Sequence, residues 1–180
     1  FQTGSGTSSN MNANEVIANR ALELSNQQRG AYDVISPNDH VNLSQSTNDV
    51  YPTAVRIALH TSLSGFRAEL ARLADAFGAK GVDFAPMIKM GRTQMQDAVP
   101  MTLGQEFMAF AHTLQEDVER LAEAQSLIRE INLGATAIGT GINAPPGYAE
   151  LACRHLARIA EVPVITAPDL VEATSDTGAF

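Results

Sequence analysis

The chain has 180 residues, 44% of them hydrophobic and 18% charged, with a formal net charge of −8. That length supports one domain with a real core, and the composition is globular rather than disordered. The negative balance argues against nucleic acid and against an anionic membrane surface as partners, since both reward clustered Lys and Arg, yet it leaves room for a small anionic substrate in a local pocket.

In chain order, residues 1–9 form a Gly/Ser/Thr loop, and a helical pattern begins near Asn10 with Val16, Ile17, Ala21, Leu22 and Leu24 on one side. Gly30 marks a C-cap region, and residues 31–45 read as irregular with Pro37-Asn38-Asp39 as a turn. Ser46-Thr47-Asn48-Asp49 supplies N-cap candidates, with Pro52 in the tolerated first turn. Leu59, Leu63, Phe66, Leu70, Leu73 and Phe77 then follow at spacings of 4, 3, 4, 3 and 4, a heptad-like seam predicting a helix to about Phe77 that stops at Gly78 or Gly81. Residues 86–99 read as a loop, and Pro100 opens a helix whose apolar side runs through Leu103, Phe107, Phe110, Leu114, Val118, Leu121, Ile128 and Ile131.

The glycines and prolines of 132–147 mark a third loop; a shorter helix is predicted over about 147–160, an extended piece over Val162-Pro163-Val164-Ile165, and a last helix from near Pro168. Two helices of about 30 residues, far above the globular mean, and no βαβ alternation predict an all-α fold built on a long antiparallel bundle. The expected organisation is an N-terminal helix with loops over 1–45 and part of a helical-bundle domain over 46–180. The chain opens on the polar loop Phe1-Gln2-Thr3-Gly4 and closes on Thr177-Gly178-Ala179-Phe180 without a terminator, so both ends read as cut from something longer.

Three polar clusters stand at predicted helix starts: Gly4 to Asn10, Ser46 to Asp49, and Gly91 to Asp97. Helix N-termini carry unpaired N–H groups and a positive dipole end, and Ser, Thr, Asn and Gln add donors without charge. Gathered together, such clusters would bind a carboxylate well; singly, each is ordinarily only an N-cap. His40, His60, His112 and His155 are dispersed with no metal-ligand spacing, so no metal is expected. The single cysteine, Cys153, cannot form an internal disulfide, which points to a reducing cytoplasm. No apolar run approaches the roughly 18–20 residues that span a bilayer, so no membrane role is expected.

The exact strings say more. Gly4-Ser5-Gly6-Thr7-Ser8-Ser9-Asn10-Met11-Asn12 resembles the first signature of the aspartase/fumarase superfamily, Ser44-Gln45-Ser46-Thr47-Asn48-Asp49 its next substrate segment, Gly91-Arg92-Thr93-Gln94-Met95-Gln96-Asp97 its second signature, and Gly134 to Asn143 a further family loop. The resemblance covers nearly the whole chain in the right order. Gln94 where hydratases usually place His, Val99 in Asp97-Ala98-Val99-Pro100, and Ser36 before Pro37-Asn38-Asp39 all lean to the aspartase branch rather than to the fumarate hydratases.

The resemblance implies part of the family's central helical domain and a reversible elimination of ammonia from L-aspartate to give fumarate, with no organic cofactor. A base takes a proton from the carbon beside the distal carboxylate, leaving an aci-carboxylate with two negative charges on one carboxyl group. Carried over by motif, Thr7, Ser46, Thr47, Asn48, Thr93 and Gln94 would contact substrate, with Ser5 and Gln96 as further candidates. The family's serine base lies in a Gly-Ser-Ser-x-Met-Pro-Gly-Lys-x-Asn-Pro loop, a string that does not occur in this chain. The resemblance also implies a homotetramer with sites shared between subunits. Two alternatives stand beside this reading: a fumarate hydratase, and a catalytically inert helical assembly unit.

Overall fold

The structure, a computed structural model, describes residues 6–178 and 180. It comprises two compact units: one takes in the chain up to His60 and again from Leu127, the other spans Thr61–Ser126.

In the first unit, α1 (Thr7–Leu24) begins earlier than the apolar pattern indicates. Its buried face is also not the expected one. Asn10, Asn14, Ala18 and Leu22 face inward at strict four-residue spacing, while Val16, Ile17 and Leu24 are exposed. Two asparagines thus take inward positions that an apolar-stripe argument reserves for aliphatic residues, and their amides find partners inside. The helix ends at Leu24 with Ser25 as its cap, and Gly30 falls in the following turn at φ 82° rather than capping α1.

The expected turn at Pro37-Asn38-Asp39 is a π-helical turn, Pro37–Val41. Ser36 organises it: its Oγ accepts from the N–H groups of Asn38 (3.2 Å) and Asp39 (3.0 Å), and its own N–H donates to His40 Nδ1 (2.9 Å).

The long helix α2 (Thr47–Asp83) starts in this unit. Pro52 lies inside it, so the Asn48 carbonyl lacks its usual helical donor. Asn132 Nδ2 supplies that hydrogen bond from elsewhere in the unit, at 3.0 Å.

The C-terminal part contributes α4 (Tyr148–Ala160), α5 (Leu170–Ser175) with Asp169 as its N-cap, and two short strands, β3 (Glu130–Ile131) and β4 (Ile165–Thr166), paired in parallel. The core of this unit is Ile131, Cys153, Val162 and Val164, with Ile57, Leu156 and Ala160 packed against it. The lone cysteine is therefore a buried hydrophobe here.

In the second unit, α2 runs on through both Gly78 and Gly81, the predicted stops, to Asp83. Gly81 serves close approach rather than termination: a Cβ on it would lie 3.1 Å from Met108 Cε and 3.3 Å from the Gly104 carbonyl. The partner helix is α3 (Leu103–Leu127). Contacts step backward along α3 as they step forward along α2, from Ser64 bonded to Gln125 (2.8 Å) to Phe84 stacked on Phe107 (5.0 Å between ring centroids), so the two are antiparallel. Small residues (Gly78, Gly81, Gly104, Ala111) and the Phe77/Phe84/Phe107/Phe110 cluster form this contact. Of the predicted seam, Phe77 joins this contact, while Leu59, Phe66 and Leu73 remain exposed.

The expected loop over 86–99 is instead an antiparallel hairpin of β1 (Ile88–Thr93) and β2 (Gln96–Thr102). Pro100 pairs with Met90 in this ribbon rather than opening a helix; a two-stranded ribbon has only edges, where a missing N–H is tolerated. The start of α3 is a reciprocal capping box: the Gln105 N–H donates to Thr102 Oγ1 (3.1 Å) and the Thr102 N–H to Gln105 Oε1 (2.9 Å). The fold is thus mainly helical with two small sheets, and the all-α expectation is corrected to that extent. Among the described residues no helix is long and apolar enough to cross a membrane.

Gly104 tests the helix contact. A Cβ there would sit 2.5 Å from the Gly81 carbonyl oxygen and 2.6 Å from Ala85 Cα, backbone atoms that cannot rotate away. Gly104→Ala should therefore lower unfolding stability by about 1–3 kcal/mol in urea titration; an unchanged midpoint would mean that the close approach is not tight.

Candidate active site

Two helix starts meet in the first unit. α1 opens at Thr7 behind Gly6, which sits at φ 48° and offers no side-chain cap. A Cβ on Gly6 would lie 3.3 Å from Thr47 Cγ2 and from the Tyr51 ring, so the chain can enter α1 here only as a glycine lying against the start of α2. Four positions further on, Asn10 Nδ2 donates to Thr47 Oγ1 (3.2 Å) and to Asn42 Oδ1 (3.2 Å), and Asn14 Nδ2 donates to the same Asn42 oxygen (3.0 Å). The first and second polar clusters are therefore one constellation.

Ser46 is the N-cap of α2 and Asp49 completes a capping box. The Asn48 N–H donates to Ser46 Oγ (3.2 Å), and the Ser46 N–H donates to Asp49 Oδ1 (3.0 Å). Asp49 does more than cap. It is fully buried, and its other oxygen accepts from the N–H groups of Thr136 (2.8 Å) and Gly134 (3.2 Å). One carboxylate thereby joins the start of α2 to the loop after β3. Asn48 reinforces the junction by donating from Nδ2 to the Ala137 carbonyl at 2.7 Å, which leaves its Oδ1 as the polar end still able to accept. Burial pushes the Asp49 pKa up, while the backbone N–H groups of Ser46, Thr136 and Gly134 pull it down; burial prevails.

An open cleft of about 460 Å³ adjoins this junction, lined by Asn38, Asn42, Gln45, Ser46, Thr136 and Asn143 among others. Its lining is rich in uncharged hydrogen-bonding groups, with Asp39 the only ionisable residue among the described ones. Such a surface can hold a small anion by dipoles and hydroxyls without an opposing cation. Among the described residues no three His, Cys, Asp or Glu side chains form a group that could hold a metal ion.

The other predicted residues fall elsewhere. Thr93 ends β1 and Gln96 begins β2 in the second unit, with Gln94 between them in the hairpin turn. Gln94 and Met95 both take positive φ, 50° and 62°, as a tight two-residue hairpin turn requires. The third cluster is thus a hairpin tip and not a helix start, and its donors come from an edge ribbon rather than from a helix dipole. Ser5 lies outside the described residues. Sequence reasoning missed Asn14, Asn42 and Asn132, and read Asn10 and Asp49 only as cap and motif residues. The Ser46-x-x-Asp49 spacing held the signal for Asp49. The four-residue spacing of Asn10, Asn14, Ala18 and Leu22 held the one for the asparagines, masked by the stronger aliphatic count on the other face.

The chain is similar to known proteins along its whole length. A protein-family model described as Lyase matches residues 1–180. The chain is 60% identical over 181 aligned positions to an aspartate ammonia-lyase of Pseudomonas aeruginosa, covering 100% of this chain and 38% of that protein. It is 53% identical over 180 positions to the aspartate ammonia-lyase of Escherichia coli K12, with the same coverage of 100% and 38%. The chain thus spans 38% of the length of these curated relatives. Among solved structures it is similar to a fumarate lyase:delta crystallin from Brucella melitensis bound to cobalt, at 62% identity and TM-score 0.90 over 99% of this chain and 39% of that one. It is also similar to a recombinant class II fumarase from Schistosoma mansoni, at 35% identity and TM-score 0.79 over 96% of this chain and 40% of that one.

Asp49→Asn should cost about 1–3 kcal/mol at neutral pH, because an amide nitrogen would face backbone N–H groups. The sign of the pH dependence follows from the raised pKa. The folded state keeps the Asp49 proton over a window running upward from the ordinary carboxylate range, so the stability that this group contributes is full below that range and falls as pH rises through the raised value. Urea unfolding of both proteins from about pH 4 to about pH 7 should show their difference narrowing as pH rises. A widening difference would contradict this account.

Proposed function

Because the chain belongs to the lyase family whose model matches it from end to end, the aspartase/fumarase superfamily, we propose that the protein eliminates ammonia from L-aspartate to give fumarate, with this chain supplying donors for the substrate carboxylates. The observation that carries the reading is the convergence of two helix starts, at Thr7 and at Ser46-Thr47-Asn48, behind a buried brace and beside a cleft of uncharged groups.

The chemistry asks for that arrangement. A base removes a proton from the carbon beside the distal carboxylate, and the electron pair left behind spreads into that carboxyl group, which then carries two negative charges. The pair returns to form the carbon–carbon double bond as the carbon–nitrogen bond breaks and ammonia leaves. The intermediate is stabilised by fixed donors already aimed at the carboxyl oxygens. In this reading Thr7, Ser46 and Thr47 serve the distal carboxylate. Ser46 Oγ already accepts from the Asn48 N–H, so its own proton is available to donate outward. Asn48, which gives one amide N–H to the Ala137 carbonyl, has its Oδ1 to accept from the substrate ammonium. Thr93 and Gln94, with Gln96 and Ser5 as further candidates, hold the remaining substrate groups.

The same reading makes residues 1–45 an N-terminal portion and residues 46–180 part of the family's central antiparallel bundle domain. It also makes the protein a homotetramer with sites shared between subunits. The exposed Leu59, Phe66 and Leu73 supply apolar faces for further helices or other copies. A cytoplasmic setting suits the buried free thiol of Cys153.

The test is fumarate release followed by ultraviolet absorbance. The full-length protein should form fumarate from L-aspartate and not from malate; turnover of malate alone would favour the hydratase branch. The 180-residue chain by itself, which lacks the serine-loop string, should release none above background. Ser46→Ala in the full-length protein should lower kcat/KM by about tenfold or more, the usual loss for one hydrogen bond to a charged group, and an unchanged value would remove Ser46 from the site.

A further inference from the structure

The buried face of α1 spends two inward positions on asparagine. Asn10 is 6% exposed and Asn14 4%. Burying amides is costly unless they are hydrogen-bonded, and apolar side chains at those positions would pack without that demand. What the asparagines do is visible in their partners. Asn42 Oδ1 takes one N–H from Asn14 (3.0 Å) and one from Asn10 (3.2 Å), which fixes the plane of the Asn10 amide. The remaining hydrogen of Asn10 Nδ2 is then directed at Thr47 Oγ1 (3.2 Å).

A threonine hydroxyl has one proton to give and two lone pairs to accept with. Once Asn10 donates into one lone pair, the Thr47 proton cannot point back along that line and must go to an acceptor elsewhere. We infer that Asn10, anchored by Asn42, is a positioning residue that turns Thr47 into an obligate hydrogen-bond donor toward the bound dicarboxylate. The inference rests on the proposed role of Thr47 at the distal carboxylate and deepens it. Thr47 without Asn10 could donate or accept and would have to reorient as charge develops; with Asn10 it presents its proton in advance. A donor fixed in this way is worth most where charge on the carboxyl oxygens is greatest, in the aci-carboxylate, and less in the ground state.

The experiment is a double-mutant cycle on the full-length protein with Asn10→Ala, Thr47→Val and the pair, read as kcat and KM for aspartate and as affinity for fumarate by titration calorimetry. Each single variant should lower kcat by about tenfold, with the smaller effect on KM, and the double variant should be no worse than Thr47→Val alone. Multiplying effects would show Asn10 acting independently of Thr47 and overturn the proposal, as would full activity in Asn10→Ala. Should the alanine variant not fold, Asn10→Asp keeps the shape while replacing the donor with acceptors that draw the Thr47 proton inward. Its loss should be smaller in the Thr47→Val background than in wild type, and an equal loss overturns the proposal. A wild type that binds fumarate but does not convert aspartate refutes the proposed reaction, and the cycle in fumarate affinity still decides the role of Asn10. A wild type that binds no dicarboxylate overturns both.

Discussion

The carboxylate of Asp49 holds the first unit's site together. Two segments far apart in sequence, the start of α2 and the loop after β3, contribute three backbone N–H groups to its two oxygens. Burying such a group is unfavourable by itself, and the three charge-assisted bonds that converge on it recover only part of that cost, so its pKa stays raised. Remove the carboxylate and the N–H groups of Ser46, Gly134 and Thr136 lose this shared acceptor. The position of Ser46, the placement of Thr136 at φ 57° and the reach of Asn48 to the Ala137 carbonyl all follow from where that carboxylate sits.

A second constraint comes from Pro52. Because it has no N–H, the Asn48 carbonyl at the first turn of α2 would be unsatisfied, and Asn132, itself almost wholly buried, fills the gap while also bonding Thr174 Oγ1 at 3.1 Å. A local defect in a helix thus becomes a tertiary tie to α5. The start of α2 is held from several sides, by Asn10, Asp49 and Asn132, and preorganisation of this kind is what the proposed anion stabilisation would require.

Much of this was legible in the chain alone. The polar strings carried the family resemblance, because they hold particular residues in a particular order. Two long helices were legible too from their apolar spacing, though the first was ended early at about Phe77, the second was opened early at Pro100, and part of the spaced residues, Leu59, Phe66 and Leu73, is exposed. The hairpin was not. Residues 88–102 alternate weakly and carry a proline, and their turn uses Gln94 and Met95 where Asn-Gly would have announced a hairpin. Helix ends were misread at Gly78 and Gly81 because a glycine that faces a neighbouring helix looks in sequence like a glycine that ends one, and at Gly30 because a glycine that serves a turn beyond the helix looks like its cap.

By itself the sequence determined which side chains were available for chemistry and, through local capping and periodicity, roughly where helices begin. Tertiary structure decided which face of α1 is buried, that Asp49 is a brace rather than a simple cap, and that Asn10 addresses the hydroxyl of Thr47. The physical reason is that hydrogen bonds between residues 32, 37 or 87 positions apart leave no periodic trace, so only the folded chain can show which donor meets which acceptor.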